Sequence, residues 1–381
     1  MNILHISNGF AGSKVHGNLV RTLAKNGVCQ AVYCPVRTAT EISKNNIDLP
    51  SVNIVYSNII KPWYKATYFH KAHVLYADML HKIDVKENDI IHAATLFSDG
   101  LLAYKTHKQF GIPYVVAVRN TDYNDFIRLM PHLWPIGRKI LMHAKYVFFI
   151  SEGIKRQFEE SAFARPIINI IRDRFVRIPN GVDDYWLDNV SVEPRLGHRI
   201  LYIGDFSENK NVVRLINAVL KLRNTNDFSD TELVIIGGGK NVTNRVQKLI
   251  SQHPECITYL GKIYDKQILT EVMHGSSLFA MPSIHETFGL VYIEALSQNL
   301  PVIYTKKQGI DGLFDESVGI AVNPFSVNDI TGALKTMLSK REKYSNAHVD
   351  FLQFRWSQIA KRYASIYELV VNDSGEANSK R

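Results

Sequence analysis

The chain has 381 residues, more than one hydrophobic core usually supports, so two domains are expected. With 46% hydrophobic and 21% charged residues it has an ordinary globular composition, which excludes a disordered chain apart from the polar tail Asn372 to Arg381. The net charge of +9 implies attraction to something anionic, a nucleotide diphosphate, a membrane face or nucleic acid, but no nucleic-acid-binding motif accompanies it.

The opening MNILHISNGF lacks the basic start and long apolar run of a signal peptide and reads as a first buried strand. Short apolar runs rich in β-branched residues then alternate with helix-length amphipathic segments, the pattern of parallel strands covered on both faces. Strands are predicted at Asn2 to Ser7, Cys29 to Cys34, Asp89 to Ala93, Tyr114 to Val118 and Tyr146 to Ser151. A helix is predicted from Val15 to Asn26, stopped by Gly27.

The segment Arg172 to His198, containing IPNGVDDYW, shows neither period and marks the domain boundary. The rhythm restarts with strands at Arg199 to Gly204, Glu232 to Gly237, Cys256 to Leu260, Ser277 to Met281 and Pro301 to Tyr304. A last amphipathic helix runs from Phe354 to Val371, and its periodicity alone leaves its docking partner open.

Cys29, Cys34 and Cys256 are odd in number and lack metal-type spacing, so a reduced cytosolic compartment and no bound metal are expected. The longest apolar runs fall far short of the roughly 20 residues that span a bilayer.

Chemistry concentrates where a buried strand ends at Met281 and SIHETFG leads into a helix at Leu290. In an open α/β sheet, ligands sit past the carboxyl ends of strands. Free amides of Phe288, Gly289 and Leu290 at a helix start can hold an anion, and Gly289 lets a ligand approach the backbone. Glu286 in the loop and Glu294 in the helix can accept hydrogen bonds from vicinal hydroxyls on one extended ligand. The plainer alternative is that Thr287 caps the helix and both glutamates are solvated.

The spacing Glu286-x7-Glu294 with Phe288-Gly289 between resembles that of retaining glycosyltransferases of the GT-B fold, family four. The similarity covers nearly the whole chain and is strongest from Ile178 to Pro324, through IPNGVD, YIGDFSENKN, LVIIGGG, YLGKI, MPSIHETFGLVYIEAL and LPVIYT.

The resemblance implies an α/β architecture of two Rossmann-like domains with parallel sheets facing a central cleft. Residues 1–180 would bind the acceptor, residues 181–355 the nucleotide sugar, and the helix 356–381 would cross back to the first domain. It implies a metal-independent, retaining hexosyltransferase with no cofactor beyond the nucleotide-sugar co-substrate.

By the same resemblance, Glu286 contacts the donor hexose and Glu294 the ribose, with His285, Thr287 and the amides of Phe288 to Leu290 beside them. Lys210 clamps the diphosphate, but the family's arginine position is Asp205, better suited to a turn. Gly204, Gly238, Lys262 and Ile263 line the nucleotide. In the first half Gly12 matches the family's glycine-rich loop without its Gly-Gly pair. Asp122 matches a family acid, whereas Arg119 stands where a histidine is usual; it either supplies the missing cation or pairs with Asp122. His16 and His285 are secondary candidates.

Two stretches, Lys61 to Lys82 and Asp125 to Lys145, mix aromatic residues with cations. Both a membrane interface and a packed core produce that mixture. The implied partners are a nucleotide-sugar donor, a glycan or polyprenyl-linked acceptor and an anionic membrane surface, with no nucleic acid. The implied setting is bacterial surface polysaccharide or glycoconjugate assembly at the cytoplasmic face of the plasma membrane. The alternatives on the same fold are a non-catalytic nucleotide-sugar-binding protein and a sugar-nucleotide epimerase.

Overall fold

The computed structural model of the chain describes residues 1–65 and 67–379. It divides into two compact units, one formed by residues 1–150, 154–181 and 356–381, the other by residues 151–153 and 182–355.

The first unit carries seven parallel strands: β1 (Asn2–Ile6), β2 (Cys29–Val36), β3 (Val52–Asn58), β4 (Ile90–Ala93), β5 (Tyr114–Val118), β6 (Tyr146–Phe149) and β7 (Phe175–Arg177). Their spatial order is β3-β2-β1-β4-β5-β6-β7. The order reverses between β1 and β4, which pair from Ile3 with Ile90 to Ile6 with Ala93. Every residue of YVVAV in β5 is buried, as expected of a central strand covered on both faces.

The helix Lys14–Lys25 begins one residue earlier than predicted because Ser13 caps it, its hydroxyl accepting from the amide of His16. Gly27 follows with φ of 80°, the left-handed stop that glycine permits.

The last helix, Trp356–Ser379, belongs to this unit. Its Ile359, Tyr363, Tyr367 and Val370 share one core with Ile3, Leu19, Leu23, Val115 and Phe148. Gly181 is glycine for packing, since a Cβ there would lie 2.4 Å from the Trp356 indole. The tail read as disordered from Asn372 is helical through Ser379, and Lys380 and Arg381 lie outside the described residues.

The second unit carries six parallel strands: β8 (Arg199–Gly204), β9 (Glu232–Gly237), β10 (Ile257–Tyr259), β11 (Leu278–Ala280), β12 (Val302–Thr305) and β13 (Gly319–Val322). They are ordered β10-β9-β8-β11-β12-β13, so the reversal falls between β8 and β11. Loops after these two strands meet at the crevice where ligands of open α/β sheets bind.

Three strands escape the sequence patterns. β3 is half-buried at the sheet edge, β7 has three residues, and β13 starts at a glycine whose Cβ would meet the Val302 carbonyl oxygen at 2.0 Å. The boundary segment 172–198 is also more ordered than its lack of periodicity implies, holding β7 and a short helix, Asp184–Asp188, capped by the Asp183 carboxylate.

Candidate functional site

In the second unit, the loop after β8 and the loop after β11 are tied together by side chains. Asn209 donates to the carbonyl of His285 and accepts from its amide, both at 2.9 Å, while its own carbonyl accepts from the amide of Ile284 at 2.7 Å. Asn211, buried and left-handed at φ of 60°, donates to the carbonyls of Pro282 (2.9 Å) and Pro324 (2.7 Å).

Lys210 stands between these two asparagines. Its ammonium meets the Glu286 carboxylate at 2.7 Å, with the two side chains 25% and 11% exposed. The other Glu286 oxygen accepts from the Thr287 amide at 3.2 Å. Two residues 76 positions apart in sequence thus form a partly desolvated cation–carboxylate pair.

Asp205 serves the turn that leads to this lysine. Its carboxylate accepts from the Ser207 amide at 3.1 Å, and its carbonyl accepts from the Tyr202 hydroxyl at 2.8 Å. That is the turn role its charge suggested, because a carboxylate cannot replace a phosphate-binding arginine.

The helix Leu290–Ser297 starts at Gly289, whose φ of 77° and ψ of 71° make it the cap; Thr287 does not cap it. Among the described residues, no acceptor meets the amides of Phe288, Gly289 or Leu290, leaving three donors at the positive end of the helix. A Cβ on Gly289 would meet the Tyr292 ring at 2.4 Å, so the left-handed turn and the close packing both require glycine.

Glu294 lies in the second turn of this helix, partly buried, and no described donor reaches its carboxyl. Burial, helped by the nearby charge of Asp183 and opposed by Lys266, pushes its carboxyl up to about 7. The His285 side chain is exposed, and its loop position is set by its backbone.

The remaining nucleotide-side candidates have mixed reasons for their identity. A Cβ on Gly204 would meet the Tyr202 hydroxyl at 2.8 Å, and one on Gly238 the Tyr259 hydroxyl at 2.9 Å. Gly237, Gly238 and Gly239 all have positive φ, so the triplet is first a requirement of the backbone. Lys262 is exposed with its ammonium 3.6 Å from where a Gly239 Cβ would be, and Ile263 next to it is partly buried.

In the first unit, Gly12 ends a tight turn after β1. It has no positive φ, and a Cβ would meet nothing within 4 Å, so neither backbone nor packing demands glycine there. The space beside it is a cavity of about 730 Å³ past the carboxyl ends of β1, β2 and β4.

Asp122 is buried and organises this end of the sheet, accepting from the amides of Leu96 (3.1 Å), Phe97 (3.1 Å) and Arg119 (2.9 Å). Burial raises its carboxyl to about 6 despite those three donors. The expected alternative of an Arg119–Asp122 side-chain pair is not what forms. Asp122 takes the arginine's amide, and the Arg119 guanidinium donates to the Ala94 carbonyl at 3.2 Å.

His16 is held by Ser7, 2.9 Å from Nδ1 to the hydroxyl, and burial together with the Arg119 charge lowers it to about 3, so it is neutral. Asp99 went unnoticed in the sequence. Its carboxyl takes the Asn8 amide and the Thr95 hydroxyl, and burial raises it to about 7. Asn209 and Asn211 give no local signal either, since their partners are 76 and 71 positions away in sequence.

The aromatic and basic stretches contain both core and surface residues. Tyr64, Ala72, Leu75 and Met79 are buried, whereas Trp63, Phe69 and Leu129 are 50%, 57% and 69% exposed. Ala66 lies outside the described residues. Among the described residues, no helix is long and apolar enough to cross a membrane.

Comparison with known proteins finds the same fold in several relatives. A phosphatidyl-myo-inositol mannosyltransferase of Mycobacterium leprae is 26% identical over 249 residues, covering 60% of this chain and 64% of that protein's length. Sucrose-phosphate synthase of Thermosynechococcus elongatus shares the fold with a TM-score of 0.70 at 18% identity, covering 98% of this chain and all of the other. The Anabaena protein HepE, solved with UDP and glucose, superposes with a TM-score of 0.60 at 16% identity, and both chains are fully covered.

The family model described as glycosyltransferase family 4 matches residues 13–185, and that described as glycosyl transferases group 1 matches residues 190–356. Together they take in the loops that carry Arg119, Lys210 and Glu286 and every strand except β1, with Gly12 one residue before the first match, and the chain belongs to glycosyltransferase family four, with the GT-B fold.

Proposed function

We propose that the chain transfers a hexose, with retention of configuration and without a metal ion, from a nucleoside-diphosphate sugar to a glycan or polyprenyl-linked acceptor. The setting is assembly of a bacterial surface polysaccharide or glycoconjugate, with the enzyme docked on the inner face of the plasma membrane. The observation that carries this reading is the Lys210–Glu286 pair beside three amides without acceptors. Cation and amides suit a diphosphate, and the carboxylate suits sugar hydroxyls.

In this reading Lys210 and the helix amides hold the diphosphate, Glu286 the hexose and Glu294 the ribose hydroxyls. The bond from the anomeric carbon to the phosphate oxygen breaks, and its electron pair goes to that oxygen. The same oxygen takes the proton of the acceptor hydroxyl, which bonds to the anomeric carbon on the face the diphosphate leaves. Lys210 and the amides stabilise the charge that develops on the diphosphate. Asp122 acts as a positioning group for the loops at residues 95–97 and 119, which serve the acceptor.

Support for the donor class comes from HepE, solved with UDP and glucose, and support for a lipid-linked acceptor from the relative named for phosphatidyl-myo-inositol. Exposed Trp63, Phe69 and Leu129 favour an interfacial location.

The test is a panel of nucleotide sugars with a polyprenyl-diphosphate sugar acceptor, following nucleoside diphosphate release in EDTA. One sugar nucleotide is expected to turn over, and Glu286→Ala is expected to abolish transfer while the fold is retained. Activity lost in EDTA and restored by magnesium would sink the metal-free reading. Full activity in Glu286→Ala would remove that residue from the site.

A further inference from the structure

Beside the 730 Å³ cavity of the first unit lies a second of about 300 Å³, and the two share Arg37, Ile60, Tyr64 and Lys71. Lys61 also lines the smaller one, so three cations surround it and, among the described residues, no carboxylate does. The larger cavity is also lined by Glu41 and Asp125, and one Glu41 oxygen accepts from the backbone amides of Arg37 (2.8 Å) and Thr38 (3.4 Å). Among the described residues, none of the three cationic side chains forms an ion pair.

Lys71 is the telling member. It projects from the helix Tyr68–Lys82 and is partly buried. Burial and the Arg37 charge both work against its ammonium, with only Asp99 in its favour. Lys71 alone is half-buried, with Arg37 and Lys61 exposed beside it, and among the described residues no carboxylate pairs with its ammonium, so a partly desolvated charge stands next to like charge and gains from a partner. An anion arriving from solution supplies that partner.

The neighbouring walls are of the opposite kind. Tyr64, Tyr68, Leu75, Phe126 and Leu129 line the larger cavity, which continues to the polar turn at Gly12. Trp63 stands next to Tyr64, ring to ring at 4.4 Å, and is half exposed.

We propose that these joined cavities bind an amphipathic phosphate, its phosphate on Arg37, Lys61 and Lys71 and its hydrocarbon against the aromatic wall. This rests on the glycosyl-transfer reading for one point, that the bound amphiphile is the acceptor. Phosphate oxygens match a fork of guanidinium and ammonium donors, and a hydrocarbon chain matches tyrosine and leucine faces.

The experiment titrates the full chain with octyl phosphate below its micelle-forming concentration, with octanol and with inorganic phosphate, and repeats it for Arg37→Gln/Lys71→Gln. Octyl phosphate is expected to bind more tightly than either control, with a change in tryptophan fluorescence from Trp63. The double variant should bind it at least about tenfold more weakly, the scale of losing charge-assisted bonds, and should raise the acceptor KM while nucleotide titration is unchanged. Both altered side chains face cavities, and a melting curve verifies folding.

Octanol binding as tightly as octyl phosphate overturns the anion site. Inorganic phosphate binding as tightly overturns the lipid part, and undiminished binding by the double variant overturns the assignment of residues. If octyl phosphate binds and the variant loses it, yet no sugar nucleotide turns over, the site stands and the transferase reading fails. Transfer to a neutral acceptor, unaffected by the double variant, has the reverse meaning.

Discussion

Lys210→Met removes the ammonium and keeps the length of the side chain, and its two consequences have different sizes. Unit charges about 4 Å apart interact by about 4 kcal/mol at the effective dielectric of a protein surface. Much of this is offset by desolvation, and the Lys210–Glu286 pair is partly exposed at 25% and 11%. Deleting the lysine leaves Glu286 with the Thr287 amide, so a net stability loss of about 1–2 kcal/mol is expected. Turnover should suffer more, because a cation facing developing charge is worth about 3–4 kcal/mol, or a fall of roughly 100- to 1,000-fold. The double variant Lys210→Met/Glu286→Gln should regain most of the lost stability and none of the turnover. Urea denaturation measures the first quantity and nucleoside diphosphate release the second. Turnover within tenfold of wild type in a folded Lys210→Met protein, or its recovery in the double variant, would refute a role for the lysine in transfer.

Two glycines should respond in opposite ways. In Gly237→Ala the new Cβ would lie 1.7 Å from the Gly204 carbonyl oxygen with φ at 140°, so a loss of more than about 3 kcal/mol by urea denaturation is expected. Gly12→Ala meets nothing within 4 Å and should melt like wild type while transfer falls; full activity would place the ligand elsewhere. Glu294→Gln addresses pH dependence. The folded carboxyl is raised to about 7 from an ordinary 4.5, so the folded state binds more protons between those values. Its contribution is therefore fully present below about pH 4.5 and is lost as pH rises through 7, a change on the order of 2 kcal/mol after solvent screening. The glutamine variant should lack that slope in urea melts from pH 5 to 8, and superimposable profiles would disprove the shift.

How far the sequence reveals this molecule depends on how local each determinant is. β5 is a continuous apolar run and β8 is one after its exposed Arg199, and their predicted bounds match the structure residue for residue. β3 is an edge strand with a mixed pattern, β7 is too short to show a period, and β13 is glycine-led, so none gives a local signal. The helix start at Leu290 was legible, yet its cap was not, because Thr287 and Gly289 are both reasonable caps until the Tyr292 ring forces the choice. Lys210 and Glu286 could each be named from motifs, but their contact spans 76 positions. The same distance hides Asn209 and Asn211, which look like generic loop residues until their partners are seen. Arg119 and Asp122 sit three apart and invite an ion pair, which the backbone amides pre-empt.

The core of the first unit joins residues near position 3 to residues near position 370. During synthesis, strands β1 to β7 leave the ribosome long before Ile359, Tyr363, Tyr367 and Val370 do. Residues 182–355 form a contiguous stretch and can close their own core first. The unit made first is therefore finished last, and its interim apolar face, the one the final helix covers, must be shielded from aggregation throughout that delay.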